Sequence, residues 1–461
     1  MQELFKAIPQ VSAIIDSSEF VKKYGHFKQD FVTNLLRDGL ETVRNLIKDG
    51  KIKDVEDVEK AVARTIDKKL GILTTPSLKR VVNATGIVLH TNLGRAPMMP
   101  NPALNDILEG YCNLEYDLKE GVRGKRGVHV RSVLQVMTGA ESIVVVNNNA
   151  AALLLLLKTH ADGREVIVSR GELIELGGSF RLPEVMQASG AILREVGTTN
   201  RTHLKDYANA INEKTAMILK VHPSNYAIRG FTTCPTNAEL AQLAKEKGVI
   251  YCNDIGSGLI RRIDHPKFKD EPCLSEVLAE GADAVLFSGD KLLGGTQTGF
   301  IVGTEKVAGA CGKLPMMRSL RLAKAHMCML EETLRLWLLP DQEVIKRNPV
   351  LRMISRTDAE LKLHAQGLAE MVKKASPIAK PEVVPLVGQM GGGTLPDIDF
   401  NSFGIKLEWN GAAQDLLSKL RSFDTPVIAR VEDDAVVLDT RCILPGEDET
   451  VVKAIKFSYE N

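Results

Sequence analysis

Ala284-Val285-Leu286-Phe287-Ser288-Gly289-Asp290-Lys291-Leu292-Leu293-Gly294-Gly295-Thr296-Gln297-Thr298-Gly299 opens as an apolar run of strand type and breaks at a Ser-Gly-Asp-Lys turn. A lysine is thereby presented at the tip of a strand, with glycine-rich backbone behind it. That placement suits Schiff-base chemistry with pyridoxal 5'-phosphate. Such a site needs one amine over the aldehyde, backbone that approaches a bulky ring, and a second apolar strand, which Gly299-Phe300-Ile301-Val302-Gly303 supplies. Taken alone, the stretch reads equally well as a surface lysine in an ordinary turn.

A second stretch, upstream, breaks the tie. Val249-Ile250-Tyr251-Cys252-Asn253-Asp254-Ile255-Gly256-Ser257-Gly258 is another strand pattern ending in an acid. An aspartate there keeps a pyridine nitrogen protonated and makes the ring an electron sink. As a lone residue Asp254 is equally a cap or turn residue; beside Lys291 the two read as a pair, with Gly256 counted among the cofactor contacts.

Around this pair, strands and helices alternate from Arg80 onward, the pattern of an α/β domain with a mainly parallel sheet. Ile143 to Val146 runs into Asn147-Asn148-Asn149-Ala150 and a leucine-rich helix. Amides at a helix N-terminus suit a phosphate, so Asn148, Asn149 and Ala150 are the candidate phosphate turn, with Ser288 as a second contributor; simple capping by the asparagines is the competing reading. Strands at 165–168, 191–196 and 216–221 each end in a polar loop, and such loops converge on one mouth at the carboxyl edge of an open sheet. His222, in one of them, reads as a hydrogen-bonded loop residue and not as the base, because Lys291 is the nearer proton carrier. Residues 120–131 gather Arg123, Lys125, Arg126, His129 and Arg131 into one loop suited to an anion. Arg318 and Arg321, three apart, share a face if helical, just before an amphipathic helix over 322–338.

The expected organisation is a helical N-terminal domain over 1–75, a large α/β domain over 76–340 and a small C-terminal α+β domain over 341–461, with 71–79 as a linker. In the first domain Phe31, Leu35, Leu36, Leu40, Val43, Leu46 and Ile47 recur at helical spacing. Its Lys and Arg residues are nearly matched by acids, which favours a solvated face over a phosphate-binding one.

At 461 residues and a formal net charge of +1, the chain has room for a large core and carries no global field for nucleic acid. Its seven cysteines show no CxxC pair, which argues for a reducing compartment and against a zinc site or disulfide scaffold. No apolar run is long enough to span a bilayer and the start lacks a signal-type apolar region, so a cytoplasmic protein is expected.

With these residues in view, the chain resembles the bacterial selenocysteine synthase family, the L-seryl-tRNA(Sec) selenium transferases of PLP fold-type I, whose large domain is aspartate aminotransferase-like. The resemblance runs from Ile8-Pro9-Gln10-Val11 through Asn83-Ala84-Thr85-Gly86, Thr91 to Arg95, Glu115 to Leu118, Gly177-Gly178-Ser179-Phe180-Arg181, Glu195 to Asn200, Ser224-Asn225-Tyr226 and Ser288 to Gly295, to Arg318-Ser319-Leu320-Arg321. It implies Lys291 as the cofactor lysine, a helical N-terminal domain that grips tRNA, and a ring-shaped homodecamer built from dimers. It further implies conversion of seryl-tRNA(Sec) through an aminoacrylyl-tRNA, with selenophosphate as donor. Arg95, Arg318 and Arg321 are then free to bind the donor's phosphate, and Asp290 either to orient Lys291 or to repel premature anions. Two rivals remain: a PLP lyase acting on a small phosphorylated amino acid or amino-sugar acid, with no need of residues 1–75, and a silent tRNA-binding assembly protein, against which the Asp254 and Lys291 pair argues.

Overall fold

The strand runs at 143–146, 284–287 and 299–303 are buried along their whole length, as strands covered on both faces must be, whereas the run Ile192–Val196 buries Val196 and leaves most of its other side chains exposed. The computed structural model describes residues 1–176, 180–396 and 398–461, with the side chains of Leu176 and Phe180 left aside. Residues 177–179 of the Gly177 to Arg181 motif therefore lie outside the described residues. Two compact units, Met1–Arg80 and Val81–Asn461, make up the chain.

In the larger unit, seven strands among the described residues form the main sheet: β1 Ser142–Val146, β2 Glu165–Ser169, β3 Ile192–Val196, β4 Thr215–Val221, β5 Ile250–Gly256, β6 Ala284–Ser288 and β7 Gly299–Gly303. Their order is β1-β7-β6-β5-β4-β2-β3. β7 runs antiparallel to both neighbours and the remaining pairs are parallel. The short link from Ser288 to Gly299 explains the exception, since a parallel return needs a crossover it has no room for. Phe287 stacks on Phe300 across this pair, with ring centroids 4.4 Å apart, and fixes the register.

A second sheet, of five strands among the described residues, orders Arg430–Glu432, Ala435–Asp439, Phe400–Leu407, Glu382–Gly391 and Ile87–Leu89. Helices Asp358–Ala375, Ala413–Ser422 and Asp448–Glu460 contribute to its core through Leu368, Leu416, Leu420, Val451 and Ile455. Its last pairing matters for the site. Ile87–Leu89 lies parallel to the end of Glu382–Gly391, so the loops that follow both strands leave the sheet side by side.

Met1–Arg80 is built on two helices, Gln29–Lys48 and Val55–Thr74, preceded by three short ones. Leu40, Val43 and Ile47 pack with Val58 and Val62, while Leu36 packs with Leu70. Phe31, expected on that apolar face, points outward. The basic residues expected to be solvated stand beside acids, including Arg44 by Glu41 at 3.0 Å and Lys23 by Asp67 at 3.8 Å. Exposed pairs of this kind contribute little to stability.

Four local expectations need correction. Residues 71–74 are the last turn of a helix, not linker, because nothing in Gly71-Ile72-Leu73-Thr74 breaks it before the extended Thr75. Residues 120–131 are not one loop: Val122–Arg123 pairs with Tyr116–Asp117, and His129 and Arg131 lie on the helix Val128–Thr138. Arg318 and Arg321 do not share a helical face, since the helix Met317–Leu320 ends at an extended Arg321. The helix after it is Lys324–Leu336, shorter at both ends than expected.

Candidate active site

The parallel strands bring the ends of β4, β5 and β6 to one edge, where Val221, Asp254 and Leu286 lie in register. Beyond that edge opens a cavity of about 680 Å³, a size suited to a cofactor with a small substrate group. Asn148, Asn149, Ala150, Asp254, Gly256, Ser288, Asp290, Lys291 and Arg95, all expected at the site, line it. Arg318 and Arg321 do not. Arg321 lies 3.5 Å from Glu115, which Arg126 and Arg123 also approach, at 2.8 and 3.2 Å. Their segment still touches the site's frame, since the Leu320 carbonyl accepts from the Asn147 amide at 3.0 Å.

Lys291 is pinned by its turn. The Leu292 amide donates to Ser257 O, and Gly295 to Gly289 O, each at 2.9 Å. Behind it, the Leu293 carbonyl accepts from Trp337 Nε1 and Asn348 Nδ2, both at 3.0 Å. The amine itself is buried and donates to the Gly393 carbonyl at 3.3 Å. Burial first, and then the Arg95 charge, push Lys291 below the ordinary lysine range, while Asp254, Asp290 and Glu271 oppose them. An amine whose proton affinity is lowered in this way is a better candidate for nucleophile and base than a solvated lysine.

Asp254 is buried too. Its Oδ1 accepts from Asn149 Nδ2 at 2.9 Å and from the Gly256 amide at 3.1 Å, where Gly256 turns through a left-handed φ of 63°. Burial pushes the carboxyl up to about 6, against the pull of Asn149 and Lys291. A carboxyl in that state calls for a cationic partner. The Asn149 Oδ1 beside it is buried with no hydrogen-bond partner. The helix Asn149–His160 starts here, with Asn148 Oδ1 capping the Ala151 amide at 2.8 Å. Acid, amine and helix N-terminus thus line one cavity, and that donor set fits pyridoxal phosphate, which carries a ring nitrogen, an aldehyde and a phosphate.

Arg95 comes from the loop after Ile87–Leu89 and is held at a left-handed φ of 71° by reciprocal backbone hydrogen bonds with His90, both 3.0 Å. Such backbone strain recurs at functional sites. Its Nε lies 3.4 Å from Asp290 Oδ2, so Asp290 is aligned with the arginine. His222 also lines the cavity, as a neutral imidazole, with burial pushing it down to about 4 and the charges of Lys220 and Lys291 adding to this. Thr91, Asn92, Ser224, Asn225, Gln297, Gly392 and Gly393 complete much of the wall and were not picked out as site residues. The Gly391-Gly392-Gly393 run carried a usable signal, because all three adopt positive φ and backbone meets the lysine there.

Gly299 begins β7 against this turn. A Cβ there would meet Asn148 O at 2.0 Å and Asn149 N at 2.6 Å, and neither backbone atom can yield cheaply. Gly299→Ala is expected to cost about 3 kcal/mol or more and to lower cofactor affinity, as thermal melts and a cofactor titration would read out.

Compared with known proteins, residues 81–444 match the family model described as L-seryl-tRNA selenium transferase. The L-seryl-tRNA(Sec) selenium transferase of Geobacter metallireducens is 42% identical over 459 residues, covering 98% of each chain. That of Moorella thermoacetica is 42% identical over 463 residues, covering 100% of this chain and 98% of its own, and that of Aquifex aeolicus is 39% identical over 460 residues, covering 99% of each. Among solved structures, D-glucosaminate-6-phosphate ammonia-lyase shares the fold, with a TM-score of 0.57 and 20% identity over 86% of this chain and 98% of that one. With a model match over most of its length and relatives similar from end to end, the chain belongs to the L-seryl-tRNA selenium transferase family, a family of pyridoxal-phosphate enzymes.

Proposed function

We infer that this chain converts L-seryl-tRNA(Sec) to L-selenocysteinyl-tRNA(Sec), eliminating the seryl hydroxyl and adding selenium from selenophosphate at the same carbon. The observation that carries this is the end-to-end similarity to the selenium transferases, with Lys291 and Asp254 intact in one cavity. The bound cofactor supplies the electron sink for the carbanion. Lys291 would hold it, Asp254 would meet its ring nitrogen, and Asn148, Asn149, Ala150 and Ser288 with Gly256 would hold its phosphate and ring. The Lys291 amine then takes the α-proton from the seryl group.

The seryl carboxyl is esterified to tRNA, so no arginine has to clamp a free carboxylate. Arg95, aligned by Asp290, is the cation left over for the donor's phosphate. Arg318 and Arg321 stand outside this chain's own cavity, which a homo-oligomer accommodates by turning them toward a neighbouring copy. The exposed apolar side chains Leu108, Tyr111, Leu118, Val122 and Val136 favour such an assembly, a dimer-based ring of ten. We assign tRNA binding to the helical domain 1–75, cofactor chemistry to 76–340 and closure to 341–461, and place the enzyme with translation in the cytoplasm. Among the described residues no helix is long and apolar enough to cross a membrane.

The test is an absorbance spectrum of cofactor-loaded protein with seryl-tRNA(Sec), and with seryl-tRNA(Ser) as control. A spectral change with the first tRNA alone supports the reading, and indifference to both overturns it. Removal of residues 1–80 is expected to leave the cofactor spectrum intact while weakening tRNA binding by about two orders of magnitude, measured by filter binding.

A further inference from the structure

His222 and Glu271 adjoin the cavity without a part in the chemistry above. His222 follows β4 and its amide donates to the Asp254 carbonyl oxygen at 2.9 Å. Glu271 comes from the loop after β5, is 4% exposed, and places Oε2 3.9 Å from His222 Nε2. Its Oε1 has no hydrogen-bond partner. The nearest arginine in its field, Arg262, donates from Nε to Glu276 at 2.9 Å instead. Burial pushes Glu271 up to about 7, against the pull of the Ser257 hydroxyl and of the Lys291 and Arg262 charges, so below neutral pH its acid form faces a neutral imidazole, a donor beside an acceptor.

We propose that Glu271 is a positioning residue of the site: as the acid it donates to His222 Nε2 and holds the imidazole in its Nδ1–H form against the cavity, and on ionising it sets a negative charge near the Lys291 nitrogen. The 3.9 Å separation is longer than a hydrogen bond, and contacts of this kind shorten when a site is loaded. The other charges facing these groups are Arg95, Asp254 and Asp290 at Lys291, Arg262 at Glu271, and Lys220 at His222. With Asp254 engaged by a protonated ring, Glu271 is the carboxyl of this set that titrates near neutrality.

The inference rests on Lys291 being the cofactor lysine. Its test titrates the visible absorbance of the loaded full-length protein over about pH 5 to 9, in wild type, Glu271→Gln and Glu271→Ala. Ionised Glu271 favours the protonated Lys291 nitrogen, so Glu271→Gln is expected to lose a step near neutrality and to lower the nitrogen's midpoint by roughly half to one unit. Glu271→Gln still donates to Nε2 and should keep most of the elimination rate at low pH, whereas Glu271→Ala should lose about ten-fold. Superimposable titrations of wild type and Glu271→Gln overturn the proposal, as do equal rate losses in both variants. Should neither variant load cofactor, infrared titration of wild type decides: a buried carboxylic-acid band that vanishes through about pH 7 supports it, and its absence overturns it. A wild-type protein with no visible band would instead overturn the Lys291 assignment.

Discussion

Lys291→Ala is expected to abolish the visible absorbance of the loaded protein and to lower elimination at least about 10³-fold. Among the described residues lining the cavity the lysine supplies the amine, beside amides, hydroxyls, an imidazole, a guanidinium and the carboxyls of Asp254 and Asp290. Its burial depresses its proton affinity, so at neutral pH more of it is a free base than for a solvated lysine. An arginine at the same place stays protonated and would not replace it. Retention of more than a few per cent of the turnover, with protein that still binds cofactor, would remove Lys291 from its assigned role. Added small primary amines should restore part of the lost rate, since the position needs a base more than a particular side chain. The turn itself should persist, because its hydrogen bonds run through the backbone of residues 289–298 and through Trp337 and Asn348.

Asp254→Asn should act in opposite directions on activity and on stability. Without a carboxylate at the ring nitrogen the carbanion is poorly stabilised, and a loss of roughly 10²-fold or more is expected. In cofactor-free protein the same carboxyl is a burden. Its folded value, about 6, lies above the ordinary 3.8. The folded state therefore binds its proton more tightly than the unfolded chain, and stability falls as pH rises through that window. At pH 7 the group costs on the order of 3 kcal/mol, which the asparagine removes while still accepting from Asn149 and Gly256. Cofactor-free Asp254→Asn should accordingly melt higher than wild type at neutral pH, and the gap should close below about pH 4. Equal melting temperatures across that range would show that Asp254 is not held in the state its burial dictates.

Lys291, Asp254 and the asparagine turn were legible because each stands at or just past the end of a strand, and strand-plus-loop alternation alone predicts one shared mouth. Arg95 was found through the resemblance, and the strained backbone that presents it has no signature a pattern count detects. Gly392 and Gly393 were not picked out although they line the lysine's cavity, because the partner of the strand before them, Ile87–Leu89, lies some 300 residues away in sequence. Long-range pairing leaves no local trace. The 120–131 cluster was misread for a different reason: charge density says nothing about period, and two of its five residues, His129 and Arg131, sit on a helix. Glu271 lay in a loop with no strand pattern near it, and only burial singles it out.

The parallel pairing of Ile87–Leu89 with the end of Glu382–Gly391 also sets an order of assembly on the ribosome. Chains emerge from the amino end and fold as their partners appear. The main sheet can close once β7 has emerged, with Lys291 and Asp254 already in place. The wall made by Thr91, Asn92 and Arg95 must wait for Gly392 and Gly393, which are made much later. A nascent chain stalled before residue 382 should therefore hold a formed sheet and an open, cofactor-leaky mouth, and competence should arrive abruptly when the late strand docks.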